Sequence, residues 1–282
     1  MLLKKALGLG AAVAAVLALG APAQAAPSGG GYVALGDSFT AGPLIPNPAG
    51  RPAGCMRSDH NYPSLVAARI GARLTDVSCS GAETTDMTAP QRTSLGVNPP
   101  QLNALTRRTR LVSLGIGGND LGFSEITVAC GLASVTDPLG APCTARFGDR
   151  IARRVDAVAP KVAAVLAGIR RRAPRARVLV VGYLRLVPGA PGCWPAVPIA
   201  RGDLAFLDGA ERRLNRMLAE QARAVGATFV DTYRGGLGHD MCARPGRKWV
   251  EGIVLTSPAA PVHPNQAGMR EVARRVTAAL DA

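Results

Sequence analysis

The chain is poor in aromatic residues, acids and histidine. Phe, Trp and Tyr make up 4% of its 282 residues, 19 Asp and Glu stand against 33 Lys and Arg, and there are three histidines. Few rings interleave with the basic residues, which argues against nucleic acid as a partner. Acids are sparse where a glycosidase would need a carboxylate pair. There is no G-x-S-x-G elbow of an α/β-hydrolase. There is also no P-loop, and no G-x-G-x-x-G after the first strand-like segment. No Cys/His spacing suggests zinc, so neither a metal nor a cofactor is expected. After the first 25 residues, no segment is long and apolar enough to span a bilayer.

What is present begins with a leader. Lys4 and Lys5 precede an uncharged apolar run from Ala6 to Gly20, and Ala23-Gln24-Ala25 supplies a small-residue cleavage site. This pattern reads as a secretory signal peptide over 1–25, followed by one domain over 26–282 and a secreted, extracellular product. The other reading is an uncleaved anchor, for which the apolar run is short. All six cysteines (Cys55, Cys79, Cys130, Cys143, Cys193, Cys242) follow the leader. An even count behind a signal peptide reads as disulfide staples, with about 15 pairings open to six cysteines and pairing in sequence order the simplest. Removing the leader's two lysines from the formal +14 leaves 14 − 2 = +12. That charge could draw the protein to anionic lipid or cell-wall surfaces. The arginines, however, sit in helix-like patterns and read first as solvated helix faces. The sequence says nothing of assembly, and a monomer is the default.

Strand-like and helix-like segments alternate. Short apolar runs at Tyr32–Leu35, Leu74–Val77, Leu111–Leu114, Arg177–Val181 and Thr228–Val230 read as five strands. Helical spacing marks 61–70, 149–169, 204–225 and 266–280, with Pro160 expected to kink or split the second of these. The alternation predicts an α/β fold with a parallel sheet between helices. Ligands then bind beyond the carboxyl ends of the strands. Pocket walls are expected from the loops 42–57, 121–146 and 186–201.

Four fragments occupy those strand ends and the start of the last helix: Gly36-Asp37-Ser38, Cys79-Ser80-Gly81, Gly117-Gly118-Asn119-Asp120 and Val262-His263-Pro264-Asn265. Together they supply one chemistry. A serine hydroxyl is a weak nucleophile until a base takes its proton. Ser38 is the candidate nucleophile. His60, His239 and His263 are the candidate bases by type, and His263, just before a helix whose N-terminus helps keep imidazole neutral, fits best. A tetrahedral intermediate needs donors, which the N–H groups of Ser38 and Gly81 and the Asn119 amide can provide.

These blocks, in this order over 36–263, resemble the SGNH hydrolases, also called GDSL esterases and lipases. The likeness is to the secreted bacterial branch of lipases, esterases and some phospholipases A. It also extends to Gly54-Cys55-Met56-Arg57-Ser58 and the cysteine pairs. The resemblance implies a three-layer α/β/α, flavodoxin-like fold with a five-stranded parallel sheet. It implies hydrolysis of small-molecule or lipid esters through an acyl-enzyme on Ser38, without a metal. It further implies the pairings Cys55–Cys79, Cys130–Cys143 and Cys193–Cys242.

The chain departs from the family pattern at one point. The usual Asp three residues before the histidine is Ala260 here. As in some members of the branch, a backbone carbonyl, of Ala260 or Pro261, is expected to orient His263. Asp37 and Asp120 are the remote-carboxylate alternatives, since triads are spatial. Lipid-like acyl esters are the expected substrates. Phospholipase A or polysaccharide acetylesterase activity on the same residues, and a non-catalytic basic binding protein, are the rival readings.

Overall fold

The computed structural model describes residues 31–189 and 191–282; the expected leader and its cleavage site lie outside them. In chain order the strands and helices are β1 (Gly31–Gly36), α1 (Ser38–Ala41), α2 (Tyr62–Ile70), β2 (Leu74–Asp76), β3 (Gln91–Thr93), β4 (Gly96–Asn98) and β5 (Thr109–Gly115). There follow α3 (Gly118–Leu121), α4 (Phe123–Ser134), α5 (Pro142–Phe147), α6 (Arg150–Arg172), β6 (Arg177–Val181), α7 (Leu204–Ala224), β7 (Thr228–Val230) and α8 (Gln266–Asp281).

Five strands form one parallel sheet in the order β2-β1-β5-β6-β7, and β3 and β4 form a separate antiparallel hairpin. The chain moves one way from β1 to β2 and the other way from β5 to β7. Right-handed crossovers therefore place their helices on opposite faces of the sheet. α2 packs on α8, and α6 packs on α7. The expected α/β sandwich is thus the observed one, and β1 and β5 flank the switch point where such sheets bind ligands.

The central strands are buried on both faces, which is why Val33-Ala34-Leu35 and Leu111-Val112 read as continuous apolar runs. α6 is a single helix that runs through Pro160 without splitting. Proline removes one N–H donor, but Val155, Val158, Val162 and Val165 stay buried on one stripe across it, and that packing holds the helix together. The segment 121–146, expected as a loop, holds α4, nearly all of α5 and the last residue of α3. Its helical period was hidden because Val128 and Leu132 of α4 face outward, so apolar residues ring the helix.

Three disulfides join Cys55 to Cys79, Cys130 to Cys143 and Cys193 to Cys242. Among the described residues, no helix is long and apolar enough to cross a membrane, and no three His, Cys, Asp or Glu side chains gather as a metal would require.

Candidate active site

β1 ends in a tight turn that presents Ser38. Gly36 has φ +151°, and a Cβ there would lie 2.4 Å from Thr40 Oγ1 and 2.5 Å from Gly115 O, so only glycine fits. The Gln101 side chain brackets the turn, accepting from Gly36 N at 2.8 Å and donating to Gly36 O at 2.9 Å. Asp37 then caps α1, its Oδ1 accepting from Phe39 N at 2.9 Å. Ser38 follows as the first residue of that one-turn helix and is largely buried.

His263 arrives from the far end of the chain. Its Nε2 lies 2.8 Å from Ser38 Oγ, across 225 residues of sequence. Its Nδ1 lies 2.7 Å from Pro261 O. A carbonyl can only accept, so Nδ1 carries the proton and Nε2 is left as the acceptor facing Ser38. Of the two carbonyls considered, Pro261 faces the ring, whereas Ala260 O accepts the His263 backbone N–H at 3.2 Å. Burial of the imidazole, which disfavours its charged form, pushes its pKa below the ordinary 6.5 against the opposing effect of the Pro261 bond.

The segment carrying His263 is held on both sides. Val262 has φ +63°, a costly left-handed conformation for a β-branched residue. Its N–H donates to Glu251 O at 3.1 Å, and Glu251 N donates to His263 O at 3.0 Å. The buried Glu251 carboxylate accepts from Thr256 N at 2.8 Å and from Asn265 Nδ2 at 2.8 Å. Asn265 in turn caps α8, accepting from Ala267 N and Gly268 N. The strained residue beside His263 is therefore locked between a buried acid and a helix start.

The candidate donors Gly81 and Asn119 follow two other strand ends, those of β2 and β5. Gly81 has φ +79° in a loop tied by Cys55–Cys79, with Ser80 N donating to Cys55 O at 3.1 Å. Among the described residues, neither the Ser38 nor the Gly81 N–H has a hydrogen-bond acceptor. Asn119, on α3 after β5, donates one amide hydrogen to Ala82 O at 2.8 Å, which fixes its side chain beside the Gly81 loop and leaves its other hydrogen free. Asp120 accepts from Thr84 N at 2.9 Å, with Lys161 Nζ 3.5 Å away. It therefore ties the Asn119 loop to the segment after Gly81 and does not orient His263.

Asp37 is not the partner of His263 either. Its Oδ2 accepts from the Tyr183 hydroxyl, whose oxygen accepts from Gly118 N at 2.8 Å. Burial pushes the Asp37 carboxyl up to about 7, and the Tyr183 bond opposes that rise. Tyr183 thus bridges the loop of Ser38 and the loop of Asn119. Phe39 packs between the rings of Tyr183 and His263, at centroid distances of 5.0 and 5.3 Å. Tyr183 follows β6 as the other candidates follow their strands, yet its residue type alone does not mark it as part of the site. The two remaining histidines sit elsewhere: His60 bonds Asp59, and His239 stacks on Trp249 with its Nδ1 2.6 Å from Arg247 O.

A cleft of about 550 Å³ opens from Ser38 and His263. Its walls include Phe123, Val128, Leu132 and Val135 on one side and Ile253 on another, with Leu186 and Pro198 among its other lining residues. Segments 121–146 and 186–201 line it as expected, but 42–57 does not. That loop lies beneath the His263 segment instead, with Pro43 O accepting from Ala260 N at 2.9 Å.

Residues 34–271 match the family described as GDSL-like Lipase/Acylhydrolase. The chain is 42% identical over 260 residues to Lipase 2 of Streptomyces coelicolor, spanning 90% of this chain and 86% of that protein. It superposes on the crystal structure of phospholipase A1 from Streptomyces albidoflavus NA297 with a TM-score of 0.75 at 30% identity, covering 88% of this chain and 98% of that one. An extracellular lipase from Streptomyces rimosus gives a TM-score of 0.73 at 29% identity, covering 89% and 99%. The chain therefore belongs to the GDSL-like lipase/acylhydrolase family and is a carboxylic ester hydrolase.

Proposed function

We propose that this protein is a secreted lipase or esterase in which Ser38 attacks the ester carbonyl and His263 is the general base. The observation that carries this reading is the 2.8 Å contact between Ser38 Oγ and an imidazole nitrogen whose tautomer is set by Pro261 O. His263 Nε2 takes the hydroxyl proton as Oγ bonds to the carbonyl carbon. The oxyanion formed is met by Ser38 N–H, Gly81 N–H and the free Asn119 amide hydrogen. On collapse, His263 returns the proton to the leaving alcohol. Water, activated by the same nitrogen, then releases the acid from Ser38. A carbonyl fixes the ring's tautomer and direction but stabilises the imidazolium less than a carboxylate would. The lowered pKa of His263 agrees with that setting.

The walls of the cleft favour apolar acyl chains over acetyl groups, because a two-carbon acyl would leave most of the 550 Å³ unfilled. The three disulfides and the leader support an extracellular site of action. The likeness to a phospholipase A1 supports phospholipids as a second substrate class. The test compares initial rates on p-nitrophenyl esters of rising chain length with those of Ser38→Ala. A wild-type rate that peaks beyond acetate and falls by about 10⁴- to 10⁶-fold in the variant is expected. A wild type that prefers acetate, or a variant that retains the rate, overturns the reading.

A further inference from the structure

A second cavity, of about 340 Å³, shares no lining residue with the cleft. Ser257 and Pro258 border it on one side and Asn265 and Gln266 on another, so its walls precede and follow the segment that carries Pro261 and His263. Its ionisable lining groups are His60, Lys248 and Arg270, and no carboxylate lines it. α8 starts at its edge and is 16 residues long, so the positive end of the helix dipole faces this region. Asn265 Oδ1 already accepts from Ala267 N and Gly268 N. Among the described residues, Gln266 N–H has no acceptor.

Lys248 makes this more than a helix end. Of the two described lysines, Lys161 pairs with Asp120 at 3.5 Å. Lys248 is only 9% exposed and lines the cavity. Its backbone carbonyl accepts from Asn265 Nδ2 at 2.9 Å, but among the described residues its Nζ has neither an ion pair nor a hydrogen-bond acceptor. Taking an ammonium out of water without an anionic partner is unfavourable. Lys248 therefore gains from an anion in the cavity. The acids of this region have other partners. Asp59 bonds His60 Nδ1 and accepts from Asn47 N at 3.1 Å. Glu251 feels the Lys248 charge without touching it, and its oxygens accept from Thr256 and Asn265.

We infer that this cavity binds a phosphate group between Lys248, Arg270 and the N-terminus of α8. A tetrahedral phosphate presents oxygens in several directions and meets donors on different walls at once. A planar carboxylate has two oxygens and serves fewer of them. The phosphate charge also offsets those of Lys248 and Arg270. Free phosphate and the phosphate of a lipid headgroup share this chemistry. Lys248 O and Trp249 O both bond Asn265, the second at 2.9 Å from Asn265 N, so the ligand's anchors lead directly to the residues after His263. The site is separate from the ester chemistry at Ser38.

The test is calorimetric titration of the purified protein with inorganic phosphate, with ionic strength held constant by chloride. Saturable binding at one site per chain is expected. Lys248→Met and Arg270→Gln should each weaken it more than about tenfold. Arg153→Gln removes the same charge from an exposed position on α6 and should leave binding unchanged. Ser38→Ala should bind as the wild type does. Arg270 is exposed on α8, so its variant decides even if Lys248→Met fails to fold. No saturable binding, binding unchanged in Arg270→Gln, or equal weakening by Arg153→Gln overturns the inference. Binding lost in Ser38→Ala but kept in Arg270→Gln would put the phosphate in the cleft and also overturns it. Glycerophosphocholine, which carries the headgroup diester, separates the two sources. Tighter binding than inorganic phosphate, weakened by the same variants, supports the site and identifies a lipid headgroup. Weaker binding beside the expected phosphate result supports the site and identifies the free ion.

Discussion

Removing one hydroxyl, in Tyr183→Phe, should both destabilise the protein and slow it. The Tyr183 oxygen donates to the buried Asp37 carboxyl and accepts from Gly118 N at 2.8 Å. Losing a hydrogen bond to an ionised carboxylate costs about 1.5–3 kcal/mol, and leaving a buried N–H unpaired costs about 1–3 kcal/mol. The first cost depends on pH. The Asp37 carboxyl is raised by burial from the ordinary 3.8 to about 7. The folded state thus holds its proton more tightly than the unfolded chain does. Stability from this group is therefore fully present below 3.8 and is lost as the pH rises through about 7, a total of about 4 kcal/mol. The Tyr183 bond is the largest opposing influence, so the variant moves the carboxyl higher still and extends the loss to higher pH. Urea unfolding with the disulfides intact should show a deficit of about 1–2 kcal/mol near pH 5, growing to about 3–4 kcal/mol near pH 9. Tyr183 is a positioning residue: it reaches Ser38 through Asp37 and Asn119 through Gly118. Thus kcat on a soluble ester should fall while KM changes little. A deficit below about 0.5 kcal/mol that is flat with pH would refute the bridge.

Other predictions come from the same geometry. Asn119→Ala removes one of three proposed oxyanion donors and should lower kcat by about 10²- to 10³-fold, while loss of the Ala82 bond costs about 0.5–1.5 kcal/mol in stability; steady-state kinetics beside urea melts would check this. Because burial holds the His263 pKa below 6.5, the acid limb of kcat/KM should fall to half at a pH below the ordinary histidine value. A limb centred above 6.5 would contradict that assignment. Glu251→Ala strips the partners from Thr256 N and Asn265 Nδ2 beside the strained Val262. It should cost about 2–4 kcal/mol in urea unfolding and slow the ester reaction as His263 loses its support.

The layout of the fold was legible because its signals are local. Two-sided burial wrote continuous apolar runs for β1, β5 and β6, and one-sided burial wrote the valine stripe of α6. The residues at the strand ends could be singled out because an open parallel sheet leaves few other places for chemistry. Tyr183, Glu251 and Gln101 were missed for a shared reason. Each acts through side-chain hydrogen bonds, to residues far away in sequence for Tyr183 and Gln101 and to Thr256 and Asn265 for Glu251, and residue type alone does not encode such a bond. Tyr183 was the nearest to discovery, since it stands two residues past β6. α4 escaped because the outward-facing Val128 and Leu132 erase the period by which a buried helix is recognised. The choice between the Ala260 and Pro261 carbonyls was set by the left-handed turn at Val262, and a valine there gives no sequence sign of positive φ.

The most direct test of the account is covalent. The protein would be treated with an alkyl fluorophosphonate, which forms a stable adduct with a serine activated by a base. The peptides would then be mapped by mass spectrometry. One adduct per chain on Ser38, lost in His263→Ala but retained in His60→Ala and His239→Ala, is the predicted result. An adduct on another residue, or undiminished labelling of Ser38 without His263, would contradict the central claim that these two side chains form the reacting pair.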